Sequence, residues 1–195
     1  MLLIITVSQI LIELKIEAPV NCFAGIEIQN CAMISLRTKR LIFREWQEED
    51  YPQFSAFYEV KENARFVGGV KTAEESWRLM ATYLGHYRLK GYSYLAVETI
   101  AEQALIGTIG LWNSASWPEP ELGYWLLPEA QGKGYASEAG LAVVQYARQI
   151  KLPSLVSYID PANEPSKKLA QRLGGRYEQT IPLLDFGDHE VYRYW

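Results

Sequence analysis

The residues best placed to do chemistry lie in Glu121–Ala139, ELGYWLLPEAQGKGYASEA. An apolar strand runs into Pro128, a tight turn follows, and a helix starts near Gly134. Gly132 and Gly134 let the backbone turn sharply and approach a ligand closely. The first turn of a helix carries unpaired N–H groups, and its dipole adds partial positive charge there. With Lys133 beside them, these groups make an anion site suited to a pyrophosphate. Two common phosphate motifs do not fit. A P-loop requires G-x-x-x-x-G-K-S/T, but Gly134 is followed by Tyr135. A dinucleotide fingerprint requires G-x-G-x-x-G, and Ser137 occupies its third small position. Further on, Asn163-Glu164-Pro165-Ser166 follows a strand and opens a helix. There Asn163 reads as an N-cap, with Pro165 in the first turn.

The elements that must position these residues are punctuated clearly from Met33 onward. LIFREW (Leu41–Trp46) reads as a short alternating strand. Glu48–Tyr58 places Tyr51, Phe54, Phe57 and Tyr58 on one helical face. Thr72 and Glu75 form a capping box that opens a helix, with Trp77, Met80, Ala81 and Leu84 as its apolar stripe and Gly91 as its end. Three strands at Ser93–Glu98, Leu105–Leu111 and Glu121–Leu127 have connectors short enough for an antiparallel meander. A helix over Ala136–Ile150 turns Gly140, Val143, Val144 and Ala147 inward. It is followed by a strand (Leu155–Ile159), a helix (Glu164–Leu173) and two final strands, Tyr177–Thr180 and Glu190–Trp195. The alternation in the second half predicts a locally parallel sheet covered by helices. The expected fold is α/β: a mixed, mostly antiparallel central sheet with about four main helices on both faces.

Bulk properties narrow the classes. The chain has 195 residues, enough for one domain with its own core. Its 49% hydrophobic and 22% charged content is that of a globular protein. Nineteen basic residues are dispersed among 23 acidic ones, which argues against a nucleic-acid partner. The two histidines and two cysteines cannot assemble a metal cluster. Cys22 and Cys31 read as reduced thiols rather than a secreted disulfide framework, in keeping with a cytoplasmic protein. Met1–Ile16 lacks the basic start and the cleavage site of a signal peptide, and is too short and polar to span a membrane. Residues 1–32 read as an N-terminal appendage, or alternatively as an added strand or helix, and residues 33–195 as the working domain.

The turn also resembles the phosphate signature of the GNAT superfamily of acetyl-CoA-dependent N-acetyltransferases, Q/R-x-x-G-x-G/A, through Gln131, Gly134 and Ala136. The preceding ELGYWLLPE strand, the following amphipathic helix and Asn163–Ser166 strengthen that resemblance. It extends from about Leu36 to the C-terminus. In detail the chain looks most like the ribosomal-protein N-terminal acetyltransferases, which share L-x-T-x-R-L (Leu36, Thr38, Arg40, Leu41) and the GYW strand.

The resemblance implies acetyl-CoA as co-substrate, no metal, and transfer of the acetyl group to a primary amine, on a protein N-terminus or a small molecule. The alternative is a catalytically silent coenzyme A-binding module with a sensing or assembly role. Main-chain amides of Gln131, Gly132, Lys133, Gly134, Tyr135 and Ala136 are expected to hold the pyrophosphate. Leu126 and Leu127 would offer backbone to the pantetheine arm, and Asn163 a further hydrogen bond. Ser166 is the candidate to protonate the leaving thiolate. The tyrosine that many relatives place four residues later is Ala170 here. Glu121 is the candidate base, and reads equally well as a solvated strand-end carboxylate. Trp112 and Trp117, flanking the polar loop NSAS, are the best candidates to hold the acceptor. A homodimer is a further expectation of the family.

Overall fold

The computed structural model describes residues 36–195. The expected appendage at 1–32 and both cysteines lie outside the described residues.

Seven strands form one sheet in the order β1-β2-β3-β4-β5-β7-β6. They are β1 (Leu41–Arg44), β2 (Tyr94–Thr99), β3 (Leu105–Trp112), β4 (Glu121–Leu126), β5 (Val156–Ile159), β6 (Arg176–Pro182) and β7 (Asp188–Arg193). Five α-helices accompany them: α1 (Tyr51–Glu59), α2 (Lys61–Ala64), α3 (Ala73–Lys90), α4 (Tyr135–Gln149) and α5 (Glu164–Arg172). Helices cover opposite faces of the sheet. On β3 the neighbours Leu111 and Trp112 point opposite ways. Leu111 borders a small cavity with Val143 of α4, whereas Trp112 stacks on His86 of α3.

The mixed, mostly antiparallel sheet matches the expectation, with one correction in its second half. Only β4 and β5 run parallel; β5–β7 and β7–β6 are antiparallel. The last two strands form a hairpin, and β7 inserts between β5 and β6.

The first strand ends sooner than expected, at Arg44. Its guanidinium bonds both oxygens of Asp50, a Glu98 oxygen and the Glu45 carbonyl, which turns the chain. Trp46 then drops into the core, and its indole N–H donates to the Tyr94 carbonyl at 3.1 Å. The capping box on α3 forms as expected, with the Glu75 N–H donating to Thr72 Oγ1. The inward face of α3, however, is Ser76, Met80, Tyr83, His86 and Tyr87, while Trp77 and Ala81 face solvent. Polar-tipped aromatics can be buried there because their tips meet partners outside the helix: His86 the Tyr92 carbonyl and Asn113 N–H, Tyr83 the Tyr58 hydroxyl of α1. On α4, Gly140, Val143, Val144 and Ala147 are all buried. Beneath β4, Phe57 stacks on Trp125 at 3.9 Å, and Phe54 and Trp46 complete an aromatic body.

Candidate active site

The site begins where β4 and β5 part. They pair only at Glu121↔Val156, where the Val156 N–H donates to the Pro120 carbonyl at 3.0 Å. One residue on, the Ser157 hydroxyl takes over and donates to the Leu122 carbonyl at 2.7 Å. Beyond that the strands diverge. Main-chain groups alternate sides along a strand, so the groups of Tyr124 and Leu126 point into the gap as those of Leu122 do. The Leu126 carbonyl is occupied by Gln131 Nε2 at 3.0 Å. This leaves the Leu126 N–H and both groups of Tyr124 without a sheet partner. Leu127 was expected to offer its backbone alongside Leu126. Its N–H donates to the Ile106 carbonyl, and its own carbonyl accepts from the Ala130 N–H while keeping a second lone pair.

At the end of β4 the turn runs through Gly132 and Gly134, which adopt φ of +73° and +78°. Those left-handed angles favour glycine. Helix α4 then starts with Gly134 as its N-cap and no side chain capping it. Helices α3 and α5, by contrast, are capped by Thr72 and Asn163. The first N–H groups of α4 therefore remain donors without an intrahelical partner. Uncapped amides at one end of the gap and unpaired strand edge along it suit a ligand with a diphosphate head and an amide-bearing arm. Gln131, Gly132, Lys133, Gly134, Tyr135 and Ala136 all belong to this corner. The Gln131 side chain ties the turn back to β4 and is not free for the ligand.

The gap opens into a cavity of about 300 Å³ whose walls include Glu121, Tyr124, Asn163, Ser166, Trp112 and Trp117. Glu121 is not a solvated strand-end carboxylate: only 8% of its surface is exposed. Burial pushes its carboxyl up to about 7, although the Tyr94 hydroxyl, the Trp117 indole and the Tyr158 backbone favour its anion. The Tyr94 hydroxyl donates to Glu121 Oε2 at 3.2 Å. Trp117 Nε1 is close enough to act on the charge but falls outside hydrogen-bond geometry, and is buried without a partner.

Across the cavity, the Tyr124 hydroxyl donates to Ser166 Oγ at 2.8 Å. With that lone pair filled, the Ser166 O–H is free to donate elsewhere. Asn163 accepts from the Ser166 N–H at 3.3 Å, fulfilling the N-cap reading while lining the cavity. A tyrosine thus reaches Ser166 from β4 rather than from the helix position occupied by Ala170.

Trp112 stacks on His86 at 4.2 Å and on Tyr94 at 5.7 Å. Trp117 packs edge-on against Tyr158 and Phe186. Both line the cavity, with Phe66 and Tyr83. Phe57, Tyr58 and Tyr87 belong to the core instead. Sequence reasoning missed Tyr94, Tyr124 and Ser157. The available signal was Gly123, a glycine inside a strand, which marks a close approach by another group. A Cβ there would lie 2.3 Å from the Tyr94 hydroxyl.

Among the described residues no His, Cys, Asp and Glu group gathers as a metal site, and no helix is long and apolar enough to cross a membrane. A strand-split sheet, an uncapped amide corner and a buried carboxylate thus meet around one cavity. Comparison with known proteins identifies the family. Residues 40–176 match the Acetyltransferase (GNAT) domain family, and the chain belongs to it. It is 30% identical to the N-acetyltransferase YnaD of Bacillus subtilis (strain 168), an uncharacterised protein, over 75% of this chain and 88% of that one. A solved acetyltransferase from Agrobacterium tumefaciens str. C58 shares 31% identity with a TM-score of 0.76, covering 91% of this chain and 99% of its own. The fold is shared with RimL, a ribosomal L7/L12 α-N-protein acetyltransferase solved with coenzyme A, at 19% identity and TM-score 0.66 over 83% and 96% of the two chains. The protein is an acetyl-CoA-dependent acetyltransferase.

Proposed function

We propose that the protein transfers an acetyl group from acetyl-CoA to a primary amine, preferentially an α-amino group, with Glu121 as base. The observation that carries this is a buried carboxyl held at about 7 in the wall of the cavity where β4 and β5 separate. Acetyl-CoA supplies an activated thioester whose thiol, with a pKa near ~8.5, is a good leaving group. The Leu126 N–H and the main chain of Tyr124 hold the pantetheine arm, and the Gln131–Ala136 corner holds the pyrophosphate. Glu121, directly or through a water, takes the proton from the incoming ammonium. The neutral amine attacks the thioester carbon, forming C–N and breaking C–S. Ser166, its oxygen held by Tyr124, gives its proton to the departing sulfur and is replenished from solvent. Solvent in turn takes the second proton from the nitrogen as the amide forms.

The acceptor preference follows from proton energetics. Whatever base accepts the proton, an α-ammonium (pKa ~8) gives it up at about 3 kcal/mol lower cost than a lysine-type ammonium (pKa ~10.4). Trp112 and Trp117 wall the acceptor side. RimL's action on a ribosomal protein N-terminus is in keeping with this chemistry.

The test is thiol release from acetyl-CoA with peptides bearing free N-termini, amino acids, polyamines and aminoglycosides. Stimulation by the α-amines is expected, rising with pH through about 7 as Glu121 ionises. Glu121→Gln should lower kcat/KM by about 10²–10⁴ and flatten that pH limb. An unchanged profile in the variant removes Glu121 from the role of base. Coenzyme A binding without release by any amine would turn the reading toward a silent binding module.

A further inference from the structure

Thr38 and Arg40, in the L-x-T-x-R-L stretch that leads into β1, converge on the glycine turn and the first turn of α4. Glu138 stands in the first turn of α4. Its Oε1 accepts from Thr38 Oγ1 at 2.6 Å and from the Arg40 main-chain N–H at 2.8 Å. Its Oε2 accepts from Arg40 Nε at 2.6 Å. Arg40 then uses a second nitrogen, Nη1, to donate to the Lys133 carbonyl at 3.0 Å. The guanidinium carbon lies over the Tyr135 ring, 4.5 Å from its centroid. One side chain is fixed by a carboxylate, a ring and a main-chain carbonyl.

The carbonyl bond matters most. No peptide bond among the described residues is cis, so the Lys133 carbonyl and the Gly134 N–H point in opposite directions. Whatever holds that carbonyl also aims that N–H. Charge is balanced in the same place. A free carboxylate in the first turn of α4 would repel a diphosphate; Arg40 neutralises it, and three donors occupy its oxygens.

We propose that Arg40 is a positioning residue for coenzyme A: anchored by Glu138 and Thr38, it holds the Lys133 carbonyl so that the Gly134 N–H faces the pyrophosphate. This rests on the acetyl-CoA reading of the turn, and concerns the coenzyme rather than the acceptor. A direct phosphate ligand would not need Glu138, whereas a positioning residue does.

Calorimetry of coenzyme A binding tests this without any acceptor, so it stands apart from the identity of the amine. Arg40→Ala and Glu138→Ala should each weaken binding about ten-fold, the worth of one well-placed hydrogen bond. Arg40→Lys, which keeps the charge but cannot hold carboxylate and carbonyl together, should fall closer to Arg40→Ala than to the parent. With an accepting amine, the loss should sit in KM for acetyl-CoA. Turnover of S-acetylpantetheine, which has no pyrophosphate to receive, should change little. Tighter coenzyme binding by Glu138→Ala would overturn the proposal, because it would make Glu138 simply a repelling charge. So would unchanged binding by Arg40→Ala, or S-acetylpantetheine turnover falling in step with acetyl-CoA turnover.

Discussion

A carboxylate at the start of a strand normally sits in water, but Glu121 is covered by its own cavity wall, and that burial has a thermodynamic cost. Its carboxyl is raised from 4.5 to about 7. Between those values the folded protein keeps a proton that the unfolded chain has released. Its contribution to stability is therefore complete below about pH 4.5 and lost as pH rises through about 7. Above that a penalty of ~3 kcal/mol remains. Glu121→Gln removes the charge and keeps the shape. Denaturant unfolding should find the variant more stable than the parent at pH 8, with the difference shrinking toward pH 5. A variant less stable at both would mean that its anion's hydrogen bonds outweigh desolvation. The glycine turn and the helix start after β4 were legible in the sequence because they are local, falling within a few residues. The partners of Glu121 and Ser166 were not. Tyr94 is 27 residues from Glu121, and Tyr124 is 42 from Ser166, so only the folded sheet brings them together.

Among the elements, the sheet register explains how Tyr94 reaches its carboxylate. Tyr94, Gly110 and Gly123 share one row across β2, β3 and β4. The tyrosine side chain ends over Gly123 on the third strand, where any Cβ would strike its hydroxyl. Gly123→Ala should cost about 1–3 kcal/mol by overpacking. It should also push Tyr94 off Glu121, moving the rising limb of the pH–rate profile to higher pH. Chemical denaturation and the pH profile together check this; a stability loss with an unmoved limb would detach Tyr94 from the base. Element identities were legible because capping and alternation are local signals. The facing of α3 was not: Tyr83 and His86 go inward to partners that lie outside the helix. His86 shows this, with Nδ1 against the Tyr92 carbonyl at 2.7 Å and Nε2 accepting from the Asn113 N–H at 3.2 Å.

For the whole described domain, the sheet is a four-stranded and a three-stranded part joined at a single parallel pair. A ligand whose amides bridge the gap should tie the parts together. At a concentration 100 times its Kd, coenzyme A should add about 2.7 kcal/mol of stability. Hydrogen exchange should slow at the Leu126 and Tyr124 amides more than at Trp125, which pairs with β3 in either state. Equal protection along β4 would mean that the arm does not lie against that edge. The split also bears on how this chain avoids its own kind. An unpaired strand edge is ordinarily a template on which further chains polymerise, and proteins guard their outer edges against it. Here the unpaired stretch of β4 faces β5 across an internal cleft, where a slender arm can enter and another polypeptide's strand, flanked by its own side chains, cannot. The stretch proposed to take the co-substrate is thus an adhesive surface turned inward, not one displayed to neighbouring molecules.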